Sequence, residues 1–293
     1  MQGILLRLAA VALMTAMLSV IHHAAKTLPV GQIMVWRSAI AGVVILGFAW
    51  RFGGLRQVIP RKPRDHAVRG LLGALTMVFS FTSLAYLPVA NASALSYLAP
   101  LITMPLAVVF LGERMGPILI LAGLTGVLGM GLMLWSELHS PSLSEGGLIG
   151  IAAGLGFAVT WAFVRIHVKR MTSNESSASI AFSFAVFSTA LGLLSLPFGW
   201  EPVGVEMMLY LIAAGILGAF AHILSAEAIK RAPVSTLAPF DYFGLIFALA
   251  ADLVFFGIVP TRLALLGMLV IVMAGLLVVV YEARQKRKAQ TVS

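Results

Sequence analysis

Cysteine is absent from this 293-residue chain. That excludes a disulfide frame and any thiolate metal site. Charge is scarce as well: Asp, Glu, Lys and Arg make up 11% of the residues, where a globular protein carries about a quarter. Polar linkers are nearly missing, so no segment is long enough to form a soluble catalytic domain. The H-E-x-x-H, G-x-S-x-G and G-x-x-x-x-G-K-[ST] patterns do not occur. An intramembrane enzyme or a primary pump therefore has no motif to rest on, and no cofactor or metal is expected.

What is present is apolar. Hydrophobic residues are 60% of the chain, and the mean hydropathy is +1.00. A bilayer core about 30 Å thick needs roughly 20 apolar residues in a helix. Ten runs meet that length: 4–25, 29–50, 68–87, 90–111, 117–136, 147–167, 178–198, 207–228, 233–257 and 263–281. The expected fold is an all-α polytopic membrane protein of ten transmembrane helices, with the lipid bilayer as its first partner. The first run carries Arg7 and no small-x-small cleavage site, so it is read as a retained helix.

The charges are sorted by side. In a ten-span chain, 17 of the 20 Lys and Arg fall at one face. They are Arg7, Arg51, Arg56, Arg61, Lys62, Arg64, Arg69, Arg114, Arg165, Lys169, Arg170, Lys230, Arg231, Arg284, Lys286, Arg287 and Lys288. The other face holds Lys26 and Arg262, beside Glu137, Glu145, Glu201 and Glu206. This asymmetry follows the positive-inside rule and places both termini in the cytoplasm of a bacterial-type inner membrane. The net charge of +9 thus reads as a topology signal and not as a nucleic-acid surface.

A shift of 145 positions aligns Pro88-Val89-Ala90 with Pro233-Val234-Ser235, Tyr97 with Tyr242, and Gly112 with Gly257. Five spans is an odd number, so a second copy of five enters the membrane from the opposite side. The expected organisation is two inverted five-helix repeats, 1–140 and 146–285, followed by a basic tail, 286–293. Such symmetry suits alternating access.

The segment LAYLPVANASALSYLAPLITMPLAVVFLGER at 84–114 resembles the fourth-helix region of the EamA-type drug/metabolite transporter superfamily. WRSAIAG at 36–42 resembles that family's second helix, and APVSTLAPFDYF at 232–243 its second-repeat counterpart. One departure is Gly257-Ile258-Val259-Pro260, which lacks the Glu found after the glycine in Gly112-Glu113. The resemblance implies a secondary carrier of a small organic metabolite, with a cavity between the halves. Amino acids, S-adenosylmethionine and riboflavin are among the substrate types it implies, with import and export both open. A passive channel is the alternative.

A charge at the bilayer centre costs roughly 2.5–3.5 kcal/mol on insertion scales. Asp241, Asp252 and Arg37 are therefore candidates for function. On one continuous helix, Asp241, Leu245, Ala248 and Asp252 share a stripe, the two acids about 16 Å apart. Asp241 is read either as a substrate or coupling-proton contact or as a polar contact to a neighbouring helix. Arg37 and Asp252 lie at matching depth and are a candidate gating pair. Trp36, Tyr97 and Tyr242 are candidate cavity aromatics, joined by Trp161 and Phe240. Ser93, Tyr97 and Pro100 form a small polar face on span four. Pro100 and Pro239 are candidate kinks. His222 is read as a helix contact able to titrate near neutral pH. Gly123, Gly126, Gly129 and Gly131 in span five, with Gly267, Ala274 and Gly275 in span ten, point to close helix packing; a homodimer through these spans is kept as an option.

Overall fold

The computed structural model describes residues 2–24, 27–52, 54–86, 95–138, 147–256 and 262–290. Among these the chain is helical, with no strand. In chain order the helices are α1 (Gln2–Ala24), α2 (Val30–Phe52), α3 (Pro63–Tyr86), α4 (Ala99–Leu111), α5 (Pro117–Leu138) and α6 (Gly147–Met171), followed by α7 (Ser177–Leu193), α8 (Val205–Arg231), α9 (Val234–Leu237), α10 (Phe243–Phe256) and α11 (Arg262–Gln290).

Local chemistry sets the ends. Pro63 and Pro117 open α3 and α5, where a missing N–H costs nothing. The Ser176 hydroxyl caps α7 by accepting from the Ser179 amide at 2.9 Å. Gly112, at φ 65°, closes α4 in the left-handed region that other residues rarely adopt.

The outer surface of the bundle is rich in large apolar side chains, and several charged and polar groups are buried among an otherwise apolar core. Leu148 is 80% exposed and Val109 74% exposed, whereas Arg165 is 2% exposed. Arg7, Gln32, Arg37, His66 and Arg69 are also buried. Outward Leu and Val with inward polar groups is the arrangement lipid demands, because polar side chains there must find partners inside. Four helical stretches, Gln2–Ile21, Val30–Phe52, Leu148–Met171 and Val205–Arg231, are each long and apolar enough to cross a membrane. Several shorter apolar helices accompany them.

The main packing partners are α1 with α8, α2 with α7 and α8, α3 with α6 and α7, α4 with α6, α5 with α11, and α1 with α10. Each pair joins an early helix to a late one. Small residues permit the approach: a Cβ on Gly129 of α5 would lie 2.8 Å from the Gly267 carbonyl of α11. Lipid supplies no hydrophobic drive between helices, so such backbone contact carries much of the association. Gly123 faces Met104, Gly126 faces Tyr242 and Gly275 faces Phe243, while Gly131 faces open space.

One end of the bundle gathers the basic connections 54–62, 112–116, 172–176 and 232–233. The Glu175 carboxylate accepts from the Arg61 and Lys62 amides at 2.8 and 2.7 Å. Lys169 donates to the Ile229 and Ala232 carbonyls at 2.7 and 3.0 Å, and Arg170 to the Phe110 carbonyl at 2.9 Å. At the opposite end Gln32 exchanges two hydrogen bonds with the Glu201 backbone.

Several expectations change. The ninth apolar run is not one helix: α9 gives way to a 3-10 turn, Ala238–Tyr242, before α10 begins. The tighter 3-10 winding removes the continuous stripe expected from Asp241 to Asp252. Pro100 does not kink a helix; it stands in the first turn of α4, and Pro105 is the proline inside. The tail is helical through Gln290. Three of the seventeen basic residues assigned to one face, Arg7, Arg69 and Arg165, are buried side chains within helices, because α3 and α6 reach further along the bundle than hydropathy alone marks.

Candidate functional site

The site is built at the break between α9 and α10. Pro233 starts this segment and Pro239 lies in the first turn of the 3-10 element, so the backbone cannot continue as a regular α-helix. The early amides of α9 have no partners within the helix. Glu113, just past α4, supplies them: its carboxylate accepts from the Val234 amide at 2.8 Å, the Ser235 amide at 2.9 Å and the Ser235 hydroxyl at 2.6 Å.

The break presents Asp241 to the interior. Its Oδ1 accepts from Arg7 Nε of α1 at 2.6 Å and also from Arg7 Nη2. Its Oδ2 accepts from Arg165 Nη1 of α6. Arg7 Nη1 donates on to Ser225 Oγ of α8 at 2.7 Å. The side chains of Arg7, Arg165 and Asp241 keep 7%, 2% and 12% of their surface. Burying one ion costs several kcal/mol, and only close pairing with full hydrogen bonding offsets it. Asp241 is compensated twice over, which leaves the triad one positive charge in excess. Nε and Nη2 of Arg165 have no hydrogen-bond partner among the described residues, so the triad retains unused donors.

Next to Asp241, Tyr242 is fully buried. Its ring centroid lies 6.5 Å from that of Tyr97, with the planes tilted by 33°. Tyr97 sits in a turn just before α4, as Tyr242 sits in the turn before α10. The two residues aligned by the 145-residue shift are thus brought face to face at the breaks of their respective runs. A Cβ on Gly126 would lie 2.4 Å from the Tyr242 ring, and one on Gly244 would lie 3.2 Å from the Tyr97 hydroxyl. Glycine is what admits both rings.

The other expected residues scatter. Trp36 packs into an apolar cluster with Ala24, Leu28, Ile33 and Leu211, away from the triad. Pro239 forms part of the turn that exposes Asp241. Ser93 lies outside the described residues, as does the side chain of Asp252, and with it the pairing to Arg37. Arg37 instead donates to Met17 Sδ at 3.2 Å and lines a small cavity with Ser38, Ala41, Ile45, Phe184, Gly218 and His222. Among the described residues no group of His, Asp or Glu side chains is placed to hold a metal.

Arg7, Arg165, Ser225 and Glu113 were not singled out as site residues by the sequence. Arg7 and Arg165 fell near predicted span ends, where a basic residue reads as a topology signal. A usable signal did exist: neither has an acid within four residues on its own helix, so each needs a partner from elsewhere.

The description "EamA-like transporter family" matches the chain twice, over residues 1–135 and 148–281. The chain is 28% identical over 279 residues to a pseudopaline exporter of Pseudomonas aeruginosa, covering 93% of this chain and 94% of that one. It is 27% identical to a riboflavin transporter of Vibrio cholerae, over 91% and 88% of the two chains. It is 26% identical to an S-adenosylmethionine uptake transporter of Rickettsia felis, over 86% and 84%. A solved crystal structure superposes with a TM-score of 0.85 at 21% identity, covering 97% of this chain and 98% of that one; that likeness speaks for the fold.

Proposed function

We propose, from the premise that this chain belongs to the EamA-like transporter family and is a transporter, that it is a secondary active carrier of a small organic metabolite, driven through Asp241. The observation that carries this reading is the Arg7–Asp241–Arg165 triad. It sets one ionisable carboxylate at a helix break inside the bundle, held by an early helix and a late one. A proton on Asp241 removes the charge that holds both guanidiniums, and a competing anionic group on one guanidinium displaces that one attachment. An isolated buried carboxylate with such partners is what an intramembrane coupling site needs.

The architecture proposed is ten spans in two inverted repeats, 1–140 and 146–285. Exchanging the halves turns the α1–α8 contact into α6–α3, and returns α2–α7 and α5–α11 to themselves. All of these contacts are present in the bundle, which supports the inverted arrangement, as does the double family match. Both termini are proposed to be cytoplasmic, in a bacterial-type inner membrane, with the basic end facing inward. The substrate candidates remain amino acids, S-adenosylmethionine and riboflavin; Tyr97 and Tyr242 offer aromatic faces to a planar group. A homodimer through spans five and ten has mainly Gly131 to use, because the neighbouring glycines already meet side chains of the same chain.

The test is uptake by purified protein in vesicles with an imposed pH gradient, using a solute selected from these candidates by thermal shift. Saturable, gradient-driven accumulation is expected, and Asp241→Asn is expected to lose at least about tenfold of it while keeping solute binding. Accumulation unchanged in Asp241→Asn removes the residue from coupling, and a linear flux that ignores the gradient identifies a channel.

A further inference from the structure

The interior is short of negative charge. Arg7, Arg37, Arg69 and Arg165 are all buried, and among the described residues Asp241 is the carboxylate that answers them, through Arg7 and Arg165. Arg37 and Arg69 belong to a separate region between α2, α3, α7 and α8. No described carboxylate contacts either of them.

Several of their buried polar atoms, and those of neighbouring residues, have no hydrogen-bond partner among the described residues. Arg37 Nε, Ser38 Oγ and His222 Nε2 are buried and have no hydrogen-bond partner among the described residues. All three residues line one small cavity, walled otherwise by Ala41, Ile45, Phe184 and Gly218. Phe184 forms its far side: the His222 ring meets Phe184 edge-on at 5.0 Å, and the Arg69 guanidinium lies 4.2 Å from the Phe184 centroid. Nε and Nη1 of Arg69 are also buried and unpartnered. A buried unpaired guanidinium in apolar walls is costly. A guanidinium and a hydroxyl lining one cavity, with an imidazole that donates in its Nε2–H tautomer, are the complement of one negative group.

We propose that the Arg37–Ser38–His222 cavity binds a single monovalent anionic group, either a free halide or the carboxylate of a transported solute. Arg37 supplies the charge, and Ser38 and His222 supply the neutral hydrogen bonds. Arg69 adds positive potential from behind Phe184. The cavity has room for about one water molecule; chloride, which is somewhat larger, needs a slight widening, and a carboxylate enters when α2 and α7 move apart. Because α2 is early and α7 and α8 are late in the chain, occupancy of this site and the relative position of the halves influence each other. The proposal rests on the carrier reading for its biological setting. Its test uses binding without a gradient, so loss of coupled uptake leaves it standing and loss of anion binding leaves the uptake experiment to be decided separately.

The experiment is thermal denaturation of the purified full chain in detergent, in sodium sulfate at constant ionic strength, titrated with sodium chloride, sodium acetate or sodium benzoate. A saturable rise in apparent Tm is expected in wild type, since a ligand of the native state stabilises it. A rise with chloride alone assigns the site to a free halide, and a rise with acetate or benzoate assigns it to a carboxylate. Arg37→Gln is expected to weaken the response by about tenfold or more, in line with loss of a charge-assisted bond. Ser38→Ala and His222→Gln report the same site by milder changes should Arg37→Gln fail to fold. Asp252→Asn is expected to keep the response. No rise with any of the three anions overturns the proposal. So does a rise undiminished in Arg37→Gln, or in both Ser38→Ala and His222→Gln. A rise that appears only in Asp252→Asn also overturns it, because the chain would then supply its own counter-ion.

Discussion

At the scale of single residues, the tightest constraint is steric. Gly126 meets the Tyr242 ring where a Cβ would lie at 2.4 Å, and that ring is fully buried. Gly126→Ala is expected to destabilise by about 1–3 kcal/mol, the range for overpacking a close-packed interior. Detergent melting reads this directly. Gly131→Ala, with nothing within 4 Å of its Cβ position, is the matched control and is expected to leave the Tm in place. The sequence singled out Asp241, Tyr97 and Tyr242 as candidates, because an acid in an apolar run and a repeat-related aromatic pair are visible without coordinates. It did not disclose Arg7 and Arg165 as partners of Asp241. Those contacts span 234 and 76 positions, and nothing local to either arginine encodes them.

At the scale of elements, the broken run from α9 to α10 is held from outside itself. Its first two amides depend on Glu113 of another element, while Lys169 holds the carbonyls just before it. Glu113→Ala is expected to cost about 2 kcal/mol, as for removal of a charged hydrogen-bond partner, and to leave the basic end easier to open. Protease or hydrogen-exchange protection at 232–237 checks this; protection equal to wild type would show that the cap is dispensable. That the described residues are helical was legible from apolar run length. The break was only half legible: Pro239 marks it, but whether a proline bends a helix or starts a new one depends on which neighbour satisfies the freed backbone groups. Pro100 shows the same ambiguity: it too stands in the first turn of an element, at the start of α4.

At the scale of the whole molecule, charge placement yields a topology that labels can test. A fluorescent protein fused after Ser293 is expected to be bright, and alkaline phosphatase inserted at 140–145 is expected to be active, if the basic end faces the cytoplasm. A dark carboxyl-terminal fusion that is nonetheless expressed contradicts that orientation. Removing Arg7, Arg69 and Arg165 from the tally does not upset the bias, since Arg51, Arg56, Arg61, Lys62, Arg64, Lys230 and Arg231 remain beside the same connections.

The sharing of one carboxylate between guanidiniums of α1 and α6 also bears on stoichiometry. A lone titratable oxygen pair can accept one proton, and that proton dissolves both attachments together. On the proposed coupling through Asp241, one proton per solute is the expected ratio, and a steady-state accumulation that rises tenfold per unit of imposed pH difference for a neutral solute is the measurement that checks it.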